Sequence, residues 1–310
     1  MRPVLGADRR GLARKVTRVH IKSSTLLAAV ALTLLQVAPS AQTTQRLFVA
    51  AVDASGAPVP DLTAADFKIT ENDVERTVTR AGLLTDPLRV ALIVDTGEIM
   101  GGPIGEVRQG LTGFVEGLPE GTEVGLISTG RQARVRMQPT SDRKKQRDAT
   151  SGLFPDGAGN AIMDGLLEAQ RTFFRKVDNR WFTIVVVTSD VGAGEIREDE
   201  FNKFVSQMNE TGVTVHGIVL STRGGGTPTV VTLNATRGTG GRYEALAAFT
   251  ALPAKLKELA AHLTAEVQKA RSQYKIEYAS DIKSRAGVKT GIGVARAGVT
   301  IRSSTRVPVK

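Results

Sequence analysis

The chain has 310 residues, 41% of them apolar and 23% charged, with a net charge of +10 and no cysteine. Disulfides, thiolate zinc sites and a cysteine nucleophile are therefore excluded. The charge sits at the ends: residues 1–41 hold seven bases against one acid and residues 283–310 seven bases and no acid, so the body between them is slightly acidic. With aromatics at only 5%, that body offers no broad phosphate-binding or base-stacking face, and nucleic acid is not an expected partner.

In chain order, Arg9, Arg10, Arg14, Lys15, Arg18 and Lys22 precede an apolar stretch, Ser23 to Ala41, that ends in small residues. This is the layout of a bacterial export signal, with the cut after Ser40 or Ala41. The apolar run falls short of the ~20 residues a membrane span needs. Membrane contact is thus expected only through the signal before cleavage, and the mature chain is expected in the periplasm or outside the cell. Residues 46–54, 67–71 and 75–80 read as strands, separated by turns at 55–60 and at Asn72-Asp73. So few strands cannot bury enough surface alone and must lean on something else.

From Arg89 the pattern changes to strands alternating with amphipathic helices. Arg89-Val-Ala-Leu-Ile-Val-Asp95 and Phe182-Thr-Ile-Val-Val-Val-Thr-Ser-Asp190 are buried-strand runs that each finish on an aspartate. Such strands deliver both carboxylates to the C-terminal edge of one parallel sheet, where open α/β folds hold ligands. Helices are expected over 104–118, 161–174, 198–211 and 254–271, and further strands over 123–129, 134–138 and 213–220. Only Gly130 to Ala133 join 123–129 to 134–138, too few residues for a parallel crossover, so the latter is expected as an antiparallel edge. Ser141–Arg147 reads as a polar basic run, 221–229 as a loop and 238–244 as a short sixth strand.

Residues 273–279, 287–294 and 299–307 alternate as strands without partners in the αβ pattern, and are expected to pair with the N-terminal strands. The expected fold class is α/β: a doubly wound, mostly parallel sheet with one antiparallel edge strand, plus a small flanking β module from the two ends of the chain. The expected divisions are a signal at 1–41, an N-terminal β segment at 42–86, the αβ domain at 87–272 and C-terminal strands at 273–310.

This arrangement resembles a von Willebrand factor type A (VWFA) domain in Leu92-Ile-Val-Asp95, the hairpin edge, the Gly-rich approach to the helix at Ala161, and Val185-Val-Val-Thr-Ser-Asp190. The flanks, Val52 to Phe67 with Glu71-Asn-Asp and Gln273-Tyr-Lys-Ile-Glu-Tyr278, resemble those of the VWFA-related proteins common in acidobacteria. The resemblance spans residues 45 to 305 and implies a cation site, usually for Mg²⁺, built on Asp-x-Ser-x-Ser, a threonine and a later aspartate. Here Asp95 and Asp190 match, Asn160 stands at the threonine position, and Gly97 and Ile99 replace the two serines. Mg²⁺ takes near-octahedral oxygen ligation and can fill gaps with water, but Ile99 offers no ligand. The expectation is weak or absent Mg²⁺ on Asp95, Asn160 and Asp190, with Asp95 hydrogen-bonded to loop amides or helix N-termini around Gly101 and Gly159.

Other chemistry finds little support. A haloacid-dehalogenase-type phosphatase needs a second carboxylate two residues after the first, where Gly97 stands. The Gly-rich runs at 224–226 and 238–241 lack phosphate-loop spacing. Ser128 and Ser189 have no His–Asp partners in view, and His20, His216 and His262 read as structural or signal residues. The basic tail reads as solvated strands whose charges oppose edge-to-edge aggregation. The expected function is a non-enzymatic adhesion or protein-binding module facing a protein or cell-envelope partner with loops at 96–103, 155–160, 190–197 and 221–229. The alternatives are a metal-assisted hydrolase using Asp95 and Asp190, or an envelope scaffold component docking through its β module.

Overall fold

The computed structural model describes residues 42–174, 181–192, 196–222, 225–284 and 287–303. Residues 1–41, where an export signal is expected, together with 175–180, 193–195, 223–224, 285–286 and 304–310, lie outside the described residues. The N-terminal strands are β1 (Thr43–Val52), β2 (Phe67–Glu71), β3 (Val74–Arg76) and β4 (Val78–Leu83). Asn72 and Asp73, both at positive φ (49° and 66°), make the tight β2–β3 turn expected at those two residues. The stretch expected as one strand over 75–80 is divided between β3 and β4, which belong to different sheets.

The αβ alternation follows as β5 (Leu88–Val94), α1 (Ile104–Gly117), β6 (Glu123–Ser128), β7 (Arg134–Thr140), α2 (Arg143–Ser151), α3 (Ile162–Ala169), β8 (Trp181–Ser189), α4 (Glu198–Glu210), β9 (Thr214–Leu220), α5 (Thr227–Thr239), β10 (Tyr243–Leu246) and α6 (Leu252–Arg271). The sheet order is β10-β9-β8-β5-β6-β7, parallel throughout except for β7, the antiparallel edge. Because side chains alternate along a strand, β5 feeds two cores. Val90, Leu92 and Val94 pack against α1 and α6, while Ala91 and Ile93 pack with α3, α4 and α5. A π turn at Gln170–Phe174 continues α3 and brings Phe173 over Gly125 of β6, where a Cβ would come within 2.5 Å of the ring.

Two helices depart from the sequence reading. Arg143–Ser151 is a helix, α2, capped by Asp142, whose side chain accepts from Lys145 N at 3.1 Å. Its buried residues are Gln146 and Thr150, polar ones, so it shows no apolar stripe. Gln146 donates to Thr122 O (3.0 Å) and Thr140 O (2.7 Å), anchoring the helix by hydrogen bonds instead. Thr227–Thr239 is likewise a helix, α5, with Pro228 in its first turn and Gly240 as its left-handed C-cap. The sixth strand therefore begins only at Tyr243, and Gly238-Thr239 belong to the preceding helix.

After α6 come β11 (Gln273–Ser280), β12 (Thr290–Val294) and β13 (Thr300–Ser303), and these pair with the N-terminal strands as expected. They form not one sheet but two: β13-β1-β11-β4 and β12-β2-β3. Val49, Ala51, Phe67, Ile69, Tyr274, Ile276 and Tyr278 fill the space between them. The carboxylate of Glu71, fully buried on β2, accepts from Tyr278 Oη (2.8 Å) and Ser280 Oγ (2.6 Å) of β11, and Arg76 Nε lies 3.1 Å away. On the opposite face of β1, Phe48 packs with Leu84, Trp181 and Ala270 of α6, so the flanking sheets share an apolar contact with the αβ layers. No helix among the described residues is long and apolar enough to cross a membrane.

The Glu71 cluster joins the two flanking sheets through one buried charge. Glu71→Ala removes the acceptor shared by Tyr278 and Ser280 and the counter-charge facing Arg76, and is expected to lower unfolding free energy by about 3 kcal/mol. The midpoint of urea unfolding measures this, and Glu71→Gln should lose less.

Candidate functional site

β5 and β8 lie side by side in parallel, with Val94 opposite Val187. That register brings Asp95, one residue past β5, beside Ser189 at the end of β8, and sets Asp190 one residue farther along the same edge. Both aspartates and Asn160 are buried. The sheet thus delivers all three residues marked by the sequence to its C-terminal edge, but the partners they take there differ in part from those expected.

Asp95 is enclosed by donors. Oδ1 accepts from Gly97 N at 2.7 Å, and Oδ2 accepts from Ser189 Oγ (2.6 Å), Asn160 Nδ2 (2.9 Å) and Ser189 N (3.1 Å). One of these is a loop amide of the kind the sequence suggested, Gly97 N, which caps the turn ending at Gly101; the others are the Ser189 amide and hydroxyl at the end of β8 and the Asn160 side chain beside Gly159. Asn160 Nδ2 also donates to Thr188 Oγ1 (2.7 Å), and its Oδ1 accepts from Thr129 Oγ1 (3.2 Å). Asp190 engages the loop after β9 instead, accepting from Thr222 N (2.8 Å) and Thr222 Oγ1 (2.7 Å). Burial raises the Asp95 carboxyl above the ordinary carboxylate range; the Ser189 and Gly97 hydrogen bonds pull it down, and nearby Asp156 adds to the rise.

A cation at this place would need oxygens directed at it. Asn160 turns its amide nitrogen, a donor, toward Asp95, and Gly97 and Ser189 add N–H groups. The position of the first missing serine is also filled: a Cβ on Gly97 would lie 2.4 Å from Gly159 O and 3.1 Å from Asp95 Oδ1. Ile99, in place of the second serine, is exposed. Similar close approaches fix the other loops. A Cβ on Gly192 would meet Asn160 Cβ at 2.6 Å, and one on Gly226 would meet Asp190 O at 2.1 Å. The residues present do not fit a resident cation, because backbone and N–H groups stand where ligands and space are required.

Several residues at this edge were not marked by the sequence. Asp156 accepts from Thr96 Oγ1 (2.6 Å) and pairs with Arg136 of β7, tying the loop before α3 to the hairpin edge. Arg136 Nε donates to Ser128 Oγ (2.7 Å), and its guanidinium lies over the Phe154 ring, 5.3 Å from the centroid. The alternation Arg134-Val-Arg136 in an edge strand was the one available signal for Arg136; Thr222 and Ser189 had none. Ser128 and Ser189 are hydrogen-bonded to Arg136 and Asp95, while the two described histidines, His216 on β9 and His262 on α6, stack edge to face at 5.9 Å.

A family model described as von Willebrand factor type A domain matches residues 90–194. No curated protein sequence matches the chain. Among solved structures the chain is similar to a von Willebrand factor type A protein from Catenulispora acidiphila, at 12% identity and a TM-score of 0.49, covering 72% of this chain and 50% of that one. It is also similar to an aerotolerance-related membrane protein from Bacteroides fragilis, at 14% identity and a TM-score of 0.45, covering 56% and 99%. A third similar structure is proximal thread matrix protein 1 from the mussel byssus with its metal-ion-dependent adhesion site (MIDAS) occupied by zinc, at 14% identity and a TM-score of 0.48, covering 64% and 50%. The chain therefore spans half the length of the first and third of these proteins.

Restoring the first serine is expected to harm the fold. Gly97→Ser drives a Cβ into the Gly159 carbonyl and should cost about 1–3 kcal/mol, read as a lowered melting temperature that millimolar Mg²⁺ does not recover.

Proposed function

We propose, from the match of a von Willebrand factor type A family model to residues 90–194, that the chain is an exported, non-enzymatic binding module. In this reading the loops at the C-terminal edge of the sheet meet a protein or cell-envelope partner without a tightly held cation. Domains of this family mediate protein interactions and can hold a divalent metal at that edge. The observation that carries the metal-poor reading is the enclosure of Asp95: four hydrogen bonds already engage its two oxygens, and the amide of Asn160 donates to it. A cation would have to displace those donors and reopen loops that touch backbone to backbone. Recognition then rests on the surfaces of the loops expected at 96–103, 155–160, 190–197 and 221–229, the last of which ends at Gly226 where α5 begins. Export is supported by the basic and apolar layout of residues 1–41, and the β segments at 42–86 and 273–310 serve as a frame for the domain at 87–272.

Thermal unfolding with EDTA, Mg²⁺ or Mn²⁺ tests the metal-poor reading. Millimolar ion is expected to move the midpoint by less than about 1 °C, since weak binding contributes little stabilisation. A shift of several degrees abolished by Asp95→Ala, or by Asn160→Ala where the first variant folds poorly, overturns it. The non-enzymatic reading predicts no divalent-dependent turnover of phosphoester or peptide substrates by the purified chain; turnover lost in Asp95→Asn overturns that part.

A further inference from the structure

Five large apolar side chains are exposed among the described residues: Val74, Ile99, Phe154, Val191 and Val230. Three of them stand on the loops at the C-terminal edge: Ile99 after β5, Phe154 before α3 and Val191 after β8. Val230 lies in the first turn of α5, which starts from that same edge. The loops are contiguous. A Cβ on Gly101 would rest 3.5 Å from Pro155 Cγ, next to Phe154, and Gly192, next to Val191, abuts Asn160. Scattered exposed apolar residues need no explanation, but a group of them on one edge marks an interaction site.

The charges beside the group differ from side to side, and the bases lie on the hairpin side. Arg131 and Arg134 are exposed and have no carboxylate partner among the described residues. The stem of Arg131 lies over Gly157, in the same loop as Phe154, where a Cβ would be 3.3 Å from Arg131 Cβ. Arg136, two residues along β7 from Arg134, places its guanidinium on the Phe154 ring while Asp156 holds it. The buried acids of the edge are occupied: Asp95 and Asp156 are hydrogen-bonded within the site, and Asp190 is held by Thr222. The exposed acids are Glu98, beside Ile99, and Asp164, Glu198, Asp199 and Glu200 in the first turns of α3 and α4, where Arg197 pairs with Asp164 and Glu200; a partner's carboxylates are therefore directed to the hairpin side, at Arg131 and Arg134.

Resting on the reading of this edge as the binding face, we infer that its partner is a protein segment that places a large apolar side chain against Ile99, Phe154 and Val191 and carboxylates against Arg131 and Arg134. No metal takes part. The apolar contact supplies affinity and the arginines supply orientation. A protein segment fits better than a lipid surface. Ile99 and Val191 are each 44% exposed and Phe154 53%, so about half of each side chain is already covered and the edge is a shallow platform rather than a projecting wedge. The guanidinium over Phe154 is fixed by Asp156 and Ser128, and cannot reach out to headgroups.

A random-peptide phage library panned on the full chain tests this, followed by anisotropy with a synthetic copy of the most enriched peptide. Enriched sequences are expected to combine Leu, Phe or Trp with Asp or Glu, and to bind equally in EDTA and in Mg²⁺. Joint Ile99→Ser, Phe154→Ser and Val191→Ser should weaken binding at least about tenfold, and joint Arg131→Glu and Arg134→Glu should weaken it most at low salt. The substitutions are at exposed positions, so each variant should fold, and its melt beside the parent's checks this before binding is read. Ala158→Trp, at an exposed position of the loop before α3, covers the edge while leaving Ile99, Phe154, Val191, Arg131 and Arg134 unchanged, and separates the two readings. Binding lost in Ala158→Trp but unchanged in the serine and glutamate variants overturns the apolar and acidic partner and leaves the edge reading standing. Binding unchanged in all of them, or no enrichment, overturns both. Sedimentation with phosphatidylglycerol vesicles that the same substitutions abolish assigns the surface to a membrane and overturns the protein partner.

Discussion

The carboxylate of Asp95 is held out of water at the end of the central strand, and the C-terminal edge is arranged around it. A buried anion is costly unless hydrogen bonds replace the water it has lost. Its donors come from three separate places: the turn after β5, the end of β8 and the Asn160 side chain. The loops after β5 and β8 and the one before α3 are therefore positioned by the same two oxygens, while Asp190 holds the loop after β9. Asn160 extends the connection by linking Thr188 of β8 to Thr129, just beyond β6. Loops fixed in this way lose little freedom when they meet another surface, which favours binding by a rigid face.

Filling the site with hydrogen bonds also changes what the edge can present. A cation site needs open oxygens and room for an ion and its waters. Here glycines at 97, 192 and 226 let neighbouring backbones close that room, and no side chain larger than hydrogen fits at those positions. The side chains that remain turn outward, as Ile99, Phe154 and Val191 do. Attraction concentrated on one charge gives way to contact spread over area, whose strength comes from water released on closure.

The central strands were legible because they are long apolar runs, and the two aspartates that end them were placed on the correct edge for the same reason. Where the buried face of an element is polar, that signal disappears. The α2 helix packs through Gln146 and Thr150, and α5 hides Thr232 and Thr236 beside Val231, so neither shows a stripe that periodicity could detect. The stretch 75–80 read as a single strand because nothing local reveals that Val74–Arg76 and Val78–Leu83 join different sheets. At the site, Asp95, Asn160 and Asp190 were found by position, but not what they do there. Whether Asn160 ligates an ion or donates to Asp95 depends on which way its amide faces, and Thr129 and Thr188, distant along the chain, decide that.

The pairing of β1 with β11 has a consequence for how the chain is made. Thr43 hydrogen-bonds to the carbonyl of Ser280, 237 residues later, and β1 has strands from the far end of the chain on both sides. The strand β1 thus lacks both of its sheet neighbours until β11 and β13 have been synthesised. The αβ layers can collapse in the interval, through contacts nearer in sequence, while β1 waits with its ladder groups open. An unpaired strand of that kind is exposed to clumping. Assembly of this protein should therefore be limited by the late arrival of its closing partner, and a chaperone that shields the leading strand would speed it most.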